Sequence, residues 1–179
     1  MRRRLALLVP LLLTFVLSVP AAAQANLRLG GFLGFEFDNE EDWLIFGAEG
    51  RFRTNTMQFD FQPRFHYQSF DGGSSSQLDA NLLFNFRSLV AQVQPYMGFG
   101  VALNRLSIDE DIVGEDLDET NVGLNLISGL VFTNNPKWRP YMQFEYTAIN
   151  DFGNGANIAL GILFQVSGRF TTQSRAIRR

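Results

Sequence analysis

Between Met57 and Tyr67 hydrophobic and polar side chains take turns. Met57, Phe59, Phe61, Phe65 and Tyr67 share one parity, interrupted by Pro63, while Gln58, Asp60, Gln62, Arg64 and His66 share the other. Successive side chains of a strand point to opposite faces, so this segment forms a strand with one apolar and one charged face. The same period recurs along the chain and predicts strands over 27–37, 43–53, 57–70, 77–87, 91–104, 121–133, 138–149 and 156–170. In the first, Leu29, Leu33, Phe35 and Phe37 oppose Arg28 and Glu36. In the second, Leu44, Phe46, Ala48 and Phe52 oppose Glu49, Arg51 and Arg53. In the fourth, Leu78, Leu82, Phe84 and Phe86 oppose Asp79, Asn81, Asn85 and Arg87. In the seventh, Met142, Phe144 and Tyr146 oppose Arg139, Gln143, Glu145 and Thr147.

The connections carry a second pattern. Those after the second, fourth and sixth strands are short; the Gly/Ser-rich 71–76 and the acidic 105–120 are longer. Outer-membrane barrels have an even strand count, short periplasmic turns and longer outside loops. The pattern therefore predicts an all-β fold, an eight-stranded antiparallel up-and-down transmembrane β-barrel, with its N-terminus in the periplasm. Aromatic residues fall near strand ends: Phe52, Phe86, Trp138 and Phe170 at the periplasmic rim, Phe37, Tyr67, Phe70, Tyr146 and Phe152 at the outer rim. Bilayer interfaces favour such belts. Pro63 cannot donate to a ladder, which predicts a bulge there or a shorter strand. The alternative is a soluble lipocalin-like barrel with the apolar parity inside.

The N-terminus agrees with export. Arg2, Arg3 and Arg4 precede an apolar run over 5–19, followed by small residues around Ala21, Ala23 and Ala25. A basic n-region, an apolar h-region and small residues describe a signal peptide over 1–25, cleaved after Ala23 or Ala25. The run is short for a bilayer-spanning helix, which weighs against the alternative of an uncleaved anchor. Residues 26–170 then form the barrel, and 171–179 a basic periplasmic tail containing Arg175, Arg178 and Arg179. Cysteine is absent, which excludes disulfides and thiolate metal sites. Lys137 is the sole lysine and the formal net charge is -3, so no basic patch points to nucleic acid.

Two strand openings carry recognisable motifs. Pro95-Tyr96-Met97-Gly98-Phe99-Gly100-Val101 and Trp138-Arg139-Pro140-Tyr141 resemble the Pro-Tyr-x-Gly-x-Gly opening of the small outer-membrane β-barrel family, typified by the transmembrane domain of OmpA and by OmpX. The last strand resembles a barrel-assembly signal, but Ala159 stands where a polar residue is usual and a tail follows Phe170. The resemblance covers nearly the whole mature chain. It implies a monomer in contact with outer-membrane lipid and lipopolysaccharide, inserted by the barrel-assembly machinery.

The polar parity brings Arg28, Glu36, Glu49, Arg51, Asp60, Arg64, Asp79, Arg139, Glu145 and Arg169 inward. Eight strands leave an interior just wide enough for side chains to fill, and arginines can pair with carboxylates there. A plugged structural interior is therefore expected, with an OmpW-like channel for ions or apolar solutes as the alternative. Inward Gly98, Gly100, Gly123, Gly129 and Gly161 either leave cavities or make room for Tyr96 and Tyr141. Some small barrels are lipid A-modifying enzymes that need a histidine with a serine and an acid. His66 is the only histidine and Ser69 lies on the opposite face, leaving Ser128 or Ser167 from other strands. The acidic segment 105–120 lacks an EF-hand spacing; it is a solvated loop, a weak calcium site or the contact for an unknown extracellular partner. The reading is non-enzymatic, with no catalytic, cofactor or metal site assigned. Its role is structural, adhesive or surface-interacting, carried by extracellular loops.

Overall fold

A computed structural model describes residues 27–37, 42–53, 59–70, 73–86, 92–108, 117–149 and 153–167. They form β1 (Leu27–Phe37), β2 (Asp42–Arg53), β3 (Phe59–Phe70), β4 (Gly73–Asn85), β5 (Val93–Ile108), β6 (Leu117–Phe132), β7 (Trp138–Ile149) and β8 (Gly153–Ser167). Each strand pairs antiparallel with its neighbours in sequence, and β8 returns to β1, so the sheet closes. The signal peptide over 1–25 and the tail over 171–179 lie outside the described residues.

The apolar parity faces outward, contrary to the lipocalin-like alternative. Leu33, Leu124, Leu126 and Phe99 are 61%, 65%, 59% and 57% exposed, whereas inward Arg64 and Glu145 are 1% and 0% exposed. Such a surface suits hydrocarbon rather than water. Outward Phe52, Phe86 and Trp138 lie towards the end that holds Leu27 and Ser167, here the terminal end; Phe37, Tyr67 and Tyr146 lie towards the opposite, distal end. Phe70 departs from expectation. It has the inward parity and meets inward Trp43 edge-on, with centroids 4.5 Å apart, inside the distal mouth.

Strand lengths differ from the sequence expectation at the distal end. Ser74, Ser75 and Ser76, read as loop, pair with Ser107, Leu106 and Arg105. Leu117 to Thr120 likewise pair with Ile108 to Arg105. The wall thus continues beyond its apolar band, where ladder hydrogen bonds form equally well between polar residues. As a result the expected alternation of short and long connections does not hold. Only 71–72 separate β3 from β4, and 150–152 separate β7 from β8, against 133–137 between β6 and β7. Of the acidic segment, 109–116 lies outside the described residues.

Pro63 makes no bulge. The β2–β3 register is the same at Glu49↔Arg64 and at Phe52↔Phe61, and between them Gly50 and Arg51 stand unpaired opposite Pro63 and Gln62. On the other side Pro63 still pairs with Ala80. Gly50 stands across the ladder from the ring, where even a Cβ would make only an ordinary contact of 3.5 Å with Pro63 Cγ. The register shift in the barrel lies instead at the closing seam, between Leu27 and Arg28 against β8.

Inside, large residues face glycines across the ladder. Phe32 opposes Gly47, and Ile45 opposes Gly34. Leu83 opposes Gly98, Tyr96 opposes Gly129 and Tyr141 opposes Gly161. A Cβ on Gly129 or Gly161 would collide with the tyrosine ring. Gly129 and Gly161 therefore make room for tyrosines, while the space over Gly98 and Gly100 is taken by Leu83 and Asn81. These pairs lower the number of large side chains the narrow lumen must hold at each level.

Two outcomes follow. Leu126→Arg, facing outward, should destabilise the folded barrel by about 2–4 kcal/mol in lipid vesicles, measured by denaturant unfolding. Gly129→Val should cost about 1–3 kcal/mol in the same assay, because Tyr96 has no alternative space.

Candidate functional site

The inward polar side chains form a hydrogen-bonded column through the lumen. At the terminal end Arg53 binds Asp60 through Nε and Nη2, the latter at 2.8 Å. Arg28 Nε donates to Gln165 Oε1 at 3.1 Å, and half-buried Arg139 shares this end. The next level centres on Glu49. It accepts from Arg51 Nε at 2.7 Å, from Gln62 Nε2 at 2.8 Å and from Tyr141 Oη at 2.8 Å. Arg51 lies between Tyr96 and Tyr141, with Cζ 4.7 Å from both ring centroids. Tyr96 Oη donates to Gln143 Oε1 at 2.9 Å.

One level further, Arg64 on β3 reaches across the lumen to Glu145 on β7, Nη1 to Oε2 2.6 Å. Its guanidinium stacks on Phe32, 4.0 Å from the ring centroid. Asp79 Oδ1 accepts from Gln77 at 2.8 Å and from Asn125 at 3.0 Å. Planar guanidinium groups suit this setting, since each satisfies a carboxylate while its face rests on an aromatic ring. Above lies a distal cavity of about 250 Å³, lined among others by Glu36, Trp43, Gln68, Ser75, Asn104 and Asn154.

The parity rule placed the charged residues correctly. Arg28, Glu49, Arg51, Asp60, Arg64, Asp79 and Glu145 are all buried in the lumen. Arg169 lies outside the described residues. The sequence reading missed which of them meet. It also missed Ser75 as an inward residue, because Gly73 to Ser76 read as loop. Ser75 exchanges hydrogen bonds with Asn104, at 3.3 and 3.2 Å.

The serines considered for His66 are not brought to it. Ser69 is exposed on the outward face, and Ser128 has the outward parity of β6. Ser167 pairs with Leu27 at the terminal end, and its side chain is outside the described set. The group facing His66 is Asp79, with Nδ1 and Oδ2 4.0 Å apart.

The fold has clear relatives among solved structures. Neisserial surface protein A is 16% identical with a TM-score of 0.62, covering 78% of this chain and 96% of that one. Ail, the attachment invasion locus protein of Yersinia pestis, is 15% identical with a TM-score of 0.56, covering 78% and 95%. The N-terminal β-barrel domain of Pseudomonas aeruginosa OprF is 14% identical with a TM-score of 0.54, covering 76% and 97%. No curated protein matches the chain in sequence. The profile of the outer membrane protein beta-barrel domain matches residues 9–170, so a closed barrel with an apolar exterior and a charged lumen belongs to that family and to the bacterial outer membrane.

Proposed function

We propose that this protein is a non-enzymatic component of the outer-membrane surface, in which the lumen is a closed structural plug and the distal loops carry any recognition. The observation that supports it is the Arg64–Glu145 pair spanning β3 to β7, stacked directly against the level where Arg51 sits between two tyrosines. These side chains are almost fully buried, so they occupy the space that a permeating ion would need. Ser69 and Ser128 have the outward parity, away from His66, and the inward Ser75 is hydrogen-bonded to Asn104. Two of the similar structures bear surface or attachment roles in their names. Those roles are theirs, and the shared fold makes a similar role reasonable here.

The rest of the proposal concerns orientation and biogenesis. Residues 1–25 act as a cleaved signal peptide, and the barrel-assembly machinery inserts the barrel as a monomer among lipid and lipopolysaccharide. The distal end, with its polar wall extension and the acidic 109–116 segment, faces outside. The tail over 171–179 stays in the periplasm.

A second reading, a small ion channel, has one observation in its favour. Among the described residues, Arg28, Arg53 and Arg139 share the terminal mouth with Asp60 as the carboxylate opposing them at close range, which gives that vestibule an excess of positive charge.

Planar-bilayer recording separates the readings: the plug is expected to give no discrete open-channel steps, while uniform anion-selective steps would establish the channel. Orientation is open to single-cysteine labelling, since the chain has no cysteine of its own. On intact cells Glu115→Cys should react with a membrane-impermeant maleimide and Gln173→Cys should not; the reverse pattern would invert the topology.

A further inference from the structure

Just below the distal cavity three buried groups converge from three strands. His66 on β3, Asp79 on β4 and Glu145 on β7 present ligand atoms that all lie within 4.8 Å of one another. From this geometry we propose that they bind one divalent transition-metal cation of the zinc class, which clamps β3 and β4 to β7 across the lumen.

Unpartnered atoms point into the cluster. His66 Nδ1 and Asp79 Oδ2 have no hydrogen-bond partner among the described residues, although the residues are only 3% and 2% exposed. The side-chain oxygens of Asn125 and Asn157 are also unpartnered, as are Nε and Nη2 of the neighbouring Arg64. Buried polar atoms are nearly always satisfied, so a group at which several remain open marks a place for a ligand.

The surrounding hydrogen bonds hold the carboxylates as a metal site requires. Gln77 and Asn125 both donate to Asp79 Oδ1, which leaves Oδ2 turned to the imidazole. Arg64 and Gln143 donate to Glu145 Oε2, and Asn157 donates to Oε1 at 3.4 Å. Outer partners of this kind fix the orientation of metal-binding carboxylates.

The local charge is compatible with a cation. Asp79 and Glu145 contribute two negative charges against the single positive charge of Arg64, while Glu49 and Arg51 neutralise each other one level away. A neutral imidazole leaves a net negative charge in a buried region, and burying unpaired charge is costly. A divalent cation offsets that negative charge and leaves a single positive one in its place, so the two carboxylates attract a cation while Arg64 opposes it.

The donor set also selects the metal. One imidazole nitrogen with carboxylate oxygens suits zinc and its neighbours, whereas calcium and magnesium prefer all-oxygen shells of six or more ligands. Zinc ligands at about 2.0–2.2 Å lie roughly 3.4 Å from one another. The 4.0 Å separation of His66 Nδ1 and Asp79 Oδ2 therefore has to close by a fraction of an ångström, and separations of up to 4.8 Å within the cluster by more than one. The way in is the distal cavity, whose lining residues Gln68 and Ser75 are each one inward position from His66 and Gln77 on the same strands.

The test is zinc chloride titrated by calorimetry into the untagged, chelator-treated protein in detergent micelles, with magnesium chloride as control. One zinc per chain is expected, with affinity at least tenfold weaker in His66→Gln and in Asp79→Asn. His66 is the only histidine, so its imidazole nitrogen resonances report coordination without ambiguity. They should shift with zinc and not with magnesium. Zinc should also raise the denaturant midpoint of the wild-type barrel. Should either variant fail to fold, the wild-type resonances decide alone. No uptake with unmoved imidazole signals would overturn the proposal and leave the site to water. Undiminished uptake in both variants would overturn it too, by placing the cation elsewhere, for instance on 109–116.

Discussion

A backbone amide inside hydrocarbon has no water to bond, and each unpaired group there costs several kcal/mol. The β1–β8 seam is therefore the contact on which the rest of the structure depends. It joins Leu29 to Phe164 at one end and Phe37 to Ala156 at the other, turning an eight-strand meander into a sheet without edges. Once the sheet is closed, its alternating faces have only two destinations. The apolar parity meets lipid and the polar parity is enclosed.

Enclosure with eight strands leaves little width, and that explains the composition of the lumen. Large side chains can be carried only where the paired strand offers a glycine, as with Tyr96 and Gly129 or Tyr141 and Gly161. Charges can be carried only in pairs. Arg51–Glu49 and Arg64–Glu145 are both fully buried, and such pairs roughly break even against a hydrophobic alternative. Their contribution is to define which strands stand opposite each other, since Arg64 reaches β7 rather than a neighbour. His66 Nδ1 and Asp79 Oδ2 face each other without a hydrogen-bond partner, and Nε and Nη2 of Arg64 are likewise unpartnered.

Much of this was legible along the chain. Period-two alternation located every strand, and β1 and β7 have the expected bounds. It failed wherever a strand leaves the membrane. Ser74 to Ser76 are polar throughout, and in Arg105 to Ile108 the apolar Leu106 and Ile108 fall on the inward parity, so both stretches read as loop. Phe70 was read by height alone and assigned to the lipid belt; its parity sends it inward to Trp43. Pro63 was expected to distort the strand, but the β2–β3 register is kept across it, with the two pairs between Glu49↔Arg64 and Phe52↔Phe61 left open.

Facing was thus a local property, because adjacent side chains of a strand must point to opposite sides and only one side can meet lipid. That made Arg64, His66, Asp79 and Glu145 recognisable as interior residues from the amino-acid order. Their meeting was not local. Residues 64 and 145 are separated by 81 positions, and they touch because closure places β3 and β7 on opposite walls of a narrow tube. Strand parity carries no information about height relative to a strand across the lumen. Ladder register and ring closure supply that height, and so decided which charges pair and where three ligand groups converge.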